Sequence, residues 1–334
     1  MKSPVTGKEM RLMKESRTLD FRREAFPVIY HYYLCQDSKE QFTDDELDNL
    51  NLNQVYNQYR ARYGIPFIEE IRKIRDKYGL SAAKMSEVLG LGANVYRQYE
   101  AGEMPSVSTG RMIRMAEDPK EFFRLLEMGK NALDEHEYQR VLKKVNHAIQ
   151  ELNQLDEKIE FWLFETTQPN IFTGFKMPSM DKIGRMVAFF ADRNKPFLTA
   201  LNKLMFYADF GHFKRYGTSI SGLMYHAIQK GPVPNNYGGI YNHLVNTGIV
   251  RIEEVEFREF VGEQFLCTDK KHAILSDDIF AETEMEILKA VVSLFKGMNT
   301  RQIVEVSHKE EAWKQNVDEK ERISYVYGFR LDQI

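Results

Sequence analysis

The sequence predicts a mainly α protein with small β elements, on three observations. Residues 66–126 place apolar side chains at helical spacing between glycine, serine and proline breaks. A longer run at 138–162 keeps its apolar positions alternately three and four apart. Strand-like alternation is confined to residues 1–40, for example at 26–35, and to 250–257 and 263–268. At 334 residues the chain has room for two or three domains. Composition shifts divide it into a small β-containing unit (1–63), a bundle of five short helices (64–130), a long helix with a linker (131–179) and a second helical domain with a β-hairpin (180–334).

The formal net charge is −3, which argues against a protein that coats nucleic acid indiscriminately. A site-specific reader needs only a local basic patch, for which Lys84, Arg97, Arg111 and Arg114 are candidates. Two cysteines, Cys35 and Cys267, exclude a disulfide scaffold and suit a reducing cytoplasm. The polar start MKSPVTGKEM is unlike a signal peptide. No apolar run approaches the roughly 20 residues of a membrane span, so no membrane partner is expected.

In chain order, FPVIYHYYLC at 26–35 reads as strand. Residues 43–63 read as a helix, with Thr43 as cap and Glu46 completing a capping box. Pro66 suits the first turn of a helix over 66–78, whose inner face holds Phe67, Ile68, Ile71 and Ile74. LSAAKMSEVLGLGANVYRQYEAG at 80–102 is the most specific stretch. Ser81 can cap a first helix with Met85, Val88 and Leu89 inward. Gly90 permits the left-handed turn that stops it, Leu91 plugs the turn, and a second helix turns Tyr96 and Tyr99 inward before Gly102. Asn94, Arg97 and Gln98 then fall outside. Asn and Gln pair with adenine edges and Arg with guanine in the major groove, so this is a helix-turn-helix that reads operator DNA. Its candidate contacts are Asn94, Arg97, Gln98, Ala93 and Lys84. The bland alternative is a helical hairpin with a solvated face. Helices at 108–115 and 119–126 complete the bundle.

In the helix expected over 133–165, Tyr138, Val141, Val145, Ala148, Leu152, Leu155, Ile159 and Trp162 form a heptad seam. A parallel homodimer would place two reading heads on one palindrome; the alternative is packing on the chain's own C-terminal domain. TTQPNIFTGFKMPS at 166–179 reads as linker. Beyond it, helices are expected at 180–192, 196–216, 236–248, 281–296 and 299–306, with strands at 250–257 and 263–268.

No catalytic constellation and no cofactor site emerges. His212, His226, His243 and His308 lack the spacing that puts two metal ligands on one helix face. Ser307 with Glu310 reads as a capping box with Trp313 packed below, in preference to acid–base chemistry. Cys267 has no base beside it in sequence. GPVPNNYGG at 231–239 lacks the Lys-Ser/Thr of a phosphate loop and reads as a rigid turn capped by Asn235 or Asn236. The aromatic side chains crowded between Phe206 and Tyr241 read mainly as core, with any exposed tyrosines suited to a protein partner.

Two family resemblances bear on these residues. GANVYRQYEAG is similar to the GVNAFSRYEKG segment of the MqsA antitoxins, the YgiT-type zinc-finger and helix-turn-helix proteins, and the first 128 residues resemble that family. The resemblance implies a base-reading role for Asn94. The family's base-reading Arg falls on Gln98, with Arg97 its neighbour, and a Gln at the first motif helix falls on Ala82. The family's two Cys-x-x-Cys pairs fall on Ser3-Pro4-Val5-Thr6 and Cys35-Gln36-Asp37-Ser38, so only Cys35 survives. Hydroxyls are poor zinc ligands, and the expectation is no zinc, with the β unit held by packing. Residues from about 180 onward resemble the SocA-like Panacea domain. KLMFYAD at 203–209, GLMYHAIQKGPVPNNY at 222–237 and SHKEEAW at 307–313 carry that likeness. Together the resemblances imply a type II antitoxin that binds a toxin protein and represses its own operon. A prophage regulator or protease adaptor without a toxin is the alternative.

Overall fold

The structure, a computed structural model, describes residues 1–151, 163–164, 168–257, 261–269 and 279–334. Helices dominate, with three small antiparallel sheets among the described residues. The chain divides into two compact units, Met1–Val55 together with Glu160–Ile334, and Tyr56–Ile159. The division falls inside α1 (Asp45–Tyr63). Helix α1 is capped by Asp44, whose Oδ1 accepts from Leu47 N at 3.0 Å, one residue beyond the expected Thr43. A carboxylate there also suits the positive end of the helix.

In the unit Tyr56–Ile159, six helices share one core: α2 (Ile68–Tyr78), α3 (Ala82–Val88), α4 (Val95–Glu100), α5 (Val107–Met115), α6 (Pro119–Met128) and α7 (Glu135–Glu151). Their starts follow local chemistry. Ser81 and Ser106 accept from Lys84 N and Thr109 N, and Asp118 caps α6 with Pro119 in its first turn. Helix α2 begins two residues after Pro66, because the Glu70 carboxylate turns back to accept from Phe67 N at 2.7 Å. Tyr78 stacks on Phe122 with ring centroids 3.7 Å apart and donates to Ala116 O.

Helix α7 corrects the coiled-coil expectation for its first half. Val141 and Val145 are fully buried in this bundle's core and Tyr138 packs beside them; Ala148 is buried as well. Val141 and Val145 are therefore spent inside the chain, against the helix-turn-helix. Leu152, Leu155, Ile159 and Trp162 lie outside the described residues.

In the other unit, β1 (Arg11–Phe21) and β2 (Glu24–Leu34) form a hairpin, with β3 (Gln41–Phe42) on its far edge. Arg22 and Arg23 both take positive φ in the two-residue turn, the geometry that matches strand twist. Where β3 stops, side chains of α1 continue the edge. The Asn51 amide exchanges bonds with His31 N and O, and Gln54 does so with Ile29 N and O, all at 2.8–2.9 Å. Open strand groups are thus satisfied without another strand. On the hairpin's other face Lys14 donates to Phe329 O and His31 meets the Phe329 ring edge-on.

The rest of this unit is built around α9 (Leu198–Tyr216), which is buried continuously from Ala200 to Phe213. Packed about it are α8 (Met180–Arg193), α11 (Glu282–Leu294), α12 (Thr300–Ser307) and a 3₁₀ turn at Tyr325–Arg330. Helix α10 (Tyr237–Asn246) leads into the expected hairpin β6 (Val250–Glu256) and β7 (Val261–Cys267). One hairpin was not legible in the sequence. Residues expected as a turn form β5 (Gly231–Pro234), paired with β4 (Tyr225–Ile228). Two prolines hide it, since proline removes ladder donors and is tolerated only at a strand's edge.

Candidate functional site

The reading head is built from the inside outward. Ser86 of α3 is fully buried and accepts from Tyr96 N at 2.8 Å, which fixes α4 against α3. Tyr96 reaches through the core to donate to Ile71 O. Gly90 takes φ +65° in the turn, as its position required. Arg75 pairs with Glu100 at 2.6 Å and Arg72 donates to Glu100 O, so the far end of α4 is tied to α2. Arg60, almost wholly buried, donates to the carbonyls of Pro66, Gly102 and Glu103 and holds the chain leaving α4. Burial pushes the Arg60 guanidinium down to about 10, against the pull of Glu70.

What this framework leaves outside is a short polar surface. Ala93, Asn94, Arg97 and Gln98 are all exposed. Asn94 stands one residue before α4, in the left-handed conformation at φ +65°, where asparagine is tolerated. Its carbonyl accepts from Gln98 N, so Asn94 and Gln98 lie one turn apart with Arg97 beside them. Arg111 is exposed on α5. The structure does not bring Lys84 into this set. Its Nζ donates to Ala132 O at 2.9 Å and pairs with Glu87 and Glu137, which raise its pKa, Glu87 foremost. Arg114 is likewise engaged, bonded through both guanidinium nitrogens to Glu70.

In the larger unit the three singled-out stretches converge on the β4–β5 turn. Two backbone carbonyls of that hairpin are each caught by a side chain from another element. Lys203 Nζ donates to Pro232 O at 2.8 Å and Trp313 Nε1 to Ile228 O at 2.7 Å. His308 and Trp313 stack with centroids 3.8 Å apart and planes 8° apart. Gly231 is required there, because a Cβ would stand 2.5 Å from Lys203 Cε and 2.6 Å from Ser307 Oγ. Lys203 is fully buried, and burial, with Lys230 nearby, pushes its amine down to about 7.

Asp209 forms the second anchor. Its buried carboxylate accepts from Ile220 N, Ser221 N, Ser221 Oγ and Tyr225 Oη, which pins the chain entering β4. Burial raises its pKa while those donors pull it back. The expectation for Ser307 and Glu310 is corrected. Ser307 ends α12 and donates to Val304 O, and that helix is capped at Asn299. Glu310 accepts from Tyr207 Oη and Asp332 N just before α13 (Glu311–Lys314). Cys267 donates to Ala188 O. His212 is buried with Nδ1 against Thr218 O. Among the described residues no three His, Cys, Asp or Glu side chains gather as metal ligands would.

These two sites correspond to two family models. Residues 71–117 match the helix-turn-helix model, and residues 201–314 match the model described as antitoxin SocA-like, Panacea domain. The chain therefore carries a helix-turn-helix DNA-binding domain and a SocA-like Panacea antitoxin domain. No curated protein and no solved structure matches it. The second match spans the Lys203, Gly231, His308 and Trp313 cluster and Asp209, so the residues that carried the resemblance are those that fix this domain's interior. No helix among the described residues is long and apolar enough to cross a membrane.

Proposed function

We propose that this protein is the antitoxin of a type II toxin–antitoxin pair. Its Panacea domain binds and neutralises a toxin protein, and its helix-turn-helix represses the operon that encodes both. The observation that carries this reading is the union, in one chain, of an antitoxin-type domain with an exposed Asn94, Arg97 and Gln98 surface on a rigid helix-turn-helix. In this reading the chain is not an enzyme and acts in the cytoplasm, where its operator lies. Ala93, Asn94, Arg97 and Gln98 meet the bases, and Lys84 serves the fold. Pairing of two copies on a palindromic operator would use surfaces other than Tyr138, Val141 and Val145, which are spent within the bundle.

The test is co-expression of the full chain with the product of the adjacent open reading frame. Growth should be rescued and the two proteins should co-purify, with or without Gln98→Ala. That variant should weaken only operator binding. Failure of both rescue and co-purification would remove the antitoxin reading. Protease-dependent loss of the partner would point instead to an adaptor.

A further inference from the structure

The N-terminal sheet is sealed on one edge and open on the other. Phe21 and Glu24 close its two-residue turn, so odd-numbered residues of β1 bond to β2 and even-numbered ones turn N–H and C=O away from it. On β2 the groups turned away from β1 are spoken for. Tyr33 pairs with Phe42 of β3, His31 and Ile29 are bonded by Asn51 and Gln54 of α1, and Pro27 has no N–H. On β1 the corresponding residues are Leu12, Lys14, Ser16, Thr18 and Asp20. All are exposed, and among the described residues no third strand pairs with them.

Strand β1 also lacks the devices that blunt an edge. It has no proline, and its register with β2 runs one to one without a bulge. Its lysine, Lys14, is turned to Phe329 O. Glu15 and Arg17 bond each other on one face, and Arg17 lies over the Tyr30 ring, 4.1 Å from its centroid. Their side chains remain 42% and 30% exposed.

Charge selects what fits this edge. A second β1, antiparallel about a two-fold axis through Ser16, sets Lys14 opposite the partner's Thr18 and Leu12 opposite the partner's Asp20. Met13 then meets the partner's Leu19, and Glu15 meets the partner's Arg17, each twice by symmetry. The charges alternate in sign across the seam. Moving the axis by one residue sets Glu15 opposite Glu15 or Arg17 opposite Arg17, and like charges directly opposite are destabilising.

We propose that two copies of this chain pair edge to edge through β1, centred on Ser16, into one continuous antiparallel sheet. Every outward N–H and C=O from Leu12 to Asp20 then gains a backbone partner. The sheet's opposite edge is taken by β3 and α1, so the assembly closes at two copies and does not grow into a fibre. Pairing supplies two helix-turn-helix domains to a two-fold operator, but it depends on neither toxin nor DNA. Strand β1 belongs to the unit Met1–Val55 with Glu160–Ile334, so concentration should move the melting of that unit and not the midpoint of the unit Tyr56–Ile159.

The test uses the full chain without DNA or toxin. Sedimentation equilibrium should show monomer and dimer in exchange. Glu15→Arg should raise the dissociation constant on the order of tenfold, because like charges then face each other. Glu15→Arg/Arg17→Glu should restore it, because the exchanged charges again alternate. Disulfide trapping reads the register. Under mild oxidation Ser16→Cys should give a covalent dimer, since residues opposite in a hydrogen-bonded pair stand about 5.5 Å apart at Cα. Thr18→Cys and the wild type should not cross-link. A chain that stays monomeric at every concentration would overturn the proposal, as would a dimer indifferent to Glu15→Arg or one trapped at Thr18 and not at Ser16. A wild-type monomer whose β1 pairs only with the adjacent gene's product would overturn it too, by giving the edge to a foreign strand. Should Glu15→Arg misfold, the comparison of Ser16→Cys with Thr18→Cys decides alone.

Discussion

Asn94 and Gln98 each present a carboxamide one helical turn apart, outside a core that fixes their backbone through Ser86 and Tyr96. A bidentate amide–adenine contact discriminates by about 1–3 kcal/mol. Gln98→Ala and Asn94→Ala should each weaken specific operator binding by that amount and relax preference at one base position, as read by anisotropy titration at fixed salt. Lys84→Ala should leave operator affinity unchanged, because its ammonium is turned to Ala132, Glu87 and Glu137. A loss for Lys84→Ala equal to that for Gln98→Ala would contradict this placement. The three outward residues were legible because helical spacing fixes which side faces the core. The engagement of Lys84 was not legible because Glu137 lies on a helix far along the chain, and no local pattern announces it. Asp209 shows the same limit in its buried form. Its acidic side chain in an apolar run is visible in the sequence, but its four donors are not. Asp209→Ala would strand several buried donors, each costing about 1–3 kcal/mol, and should lower unfolding free energy by at least about 3 kcal/mol.

At the scale of elements, helix positions were read well because caps and apolar spacing are local. Exact starts shifted where a carboxylate competed, as Asp44 did with Thr43 and Glu70 with the turn after Pro66. What an element packs against is a different kind of information. The α7 seam has the same 3–4 spacing whether it meets a second copy or its own bundle, and here Val141 and Val145 meet the bundle. Val141→Ala and Val145→Ala should therefore destabilise the helix-turn-helix unit by an amount independent of protein concentration. A denaturation midpoint that moves with concentration would assign these residues to a dimer. The β4–β5 turn yields a pH prediction. Lys203 titrates near 7 when folded and near 10.5 when unfolded. Between those values the unfolded chain binds the extra proton, so this group's contribution to stability rises with pH, and below about 7 its full penalty remains. Lys203→Met should flatten the rise in urea midpoint between pH 7 and 10 relative to wild type. An unchanged slope would show that the amine is hydrated.

The whole molecule is two units, and one of them is discontinuous in sequence. That could not be read locally, because Lys14 and His31 meet Phe329 across almost the full length of the chain. The discontinuous unit also holds the two histidines most strongly depressed by burial. His31 and His212 are each pushed down to about 4, from an unfolded value near 6.5. Above pH 6.5 both are neutral in either state and cost nothing. As pH falls from 6.5 to 4 the unfolded chain takes up protons that the folded unit refuses, so stability is lost through that window. The segment 68–128 of the other unit holds no histidine. Acidification should accordingly loosen the Panacea-containing unit first. Hydrogen exchange at pH 5 and pH 7 should show faster opening of peptides from both 24–34 and 198–216 at the lower pH, once intrinsic rates are corrected. Peptides from 68–128 should change less. Joint opening of 24–34 and 198–216 would mark the N-terminal hairpin as part of the same cooperative body. Opening of 24–34 alone would make it an appendage whose loss leaves the antitoxin domain intact.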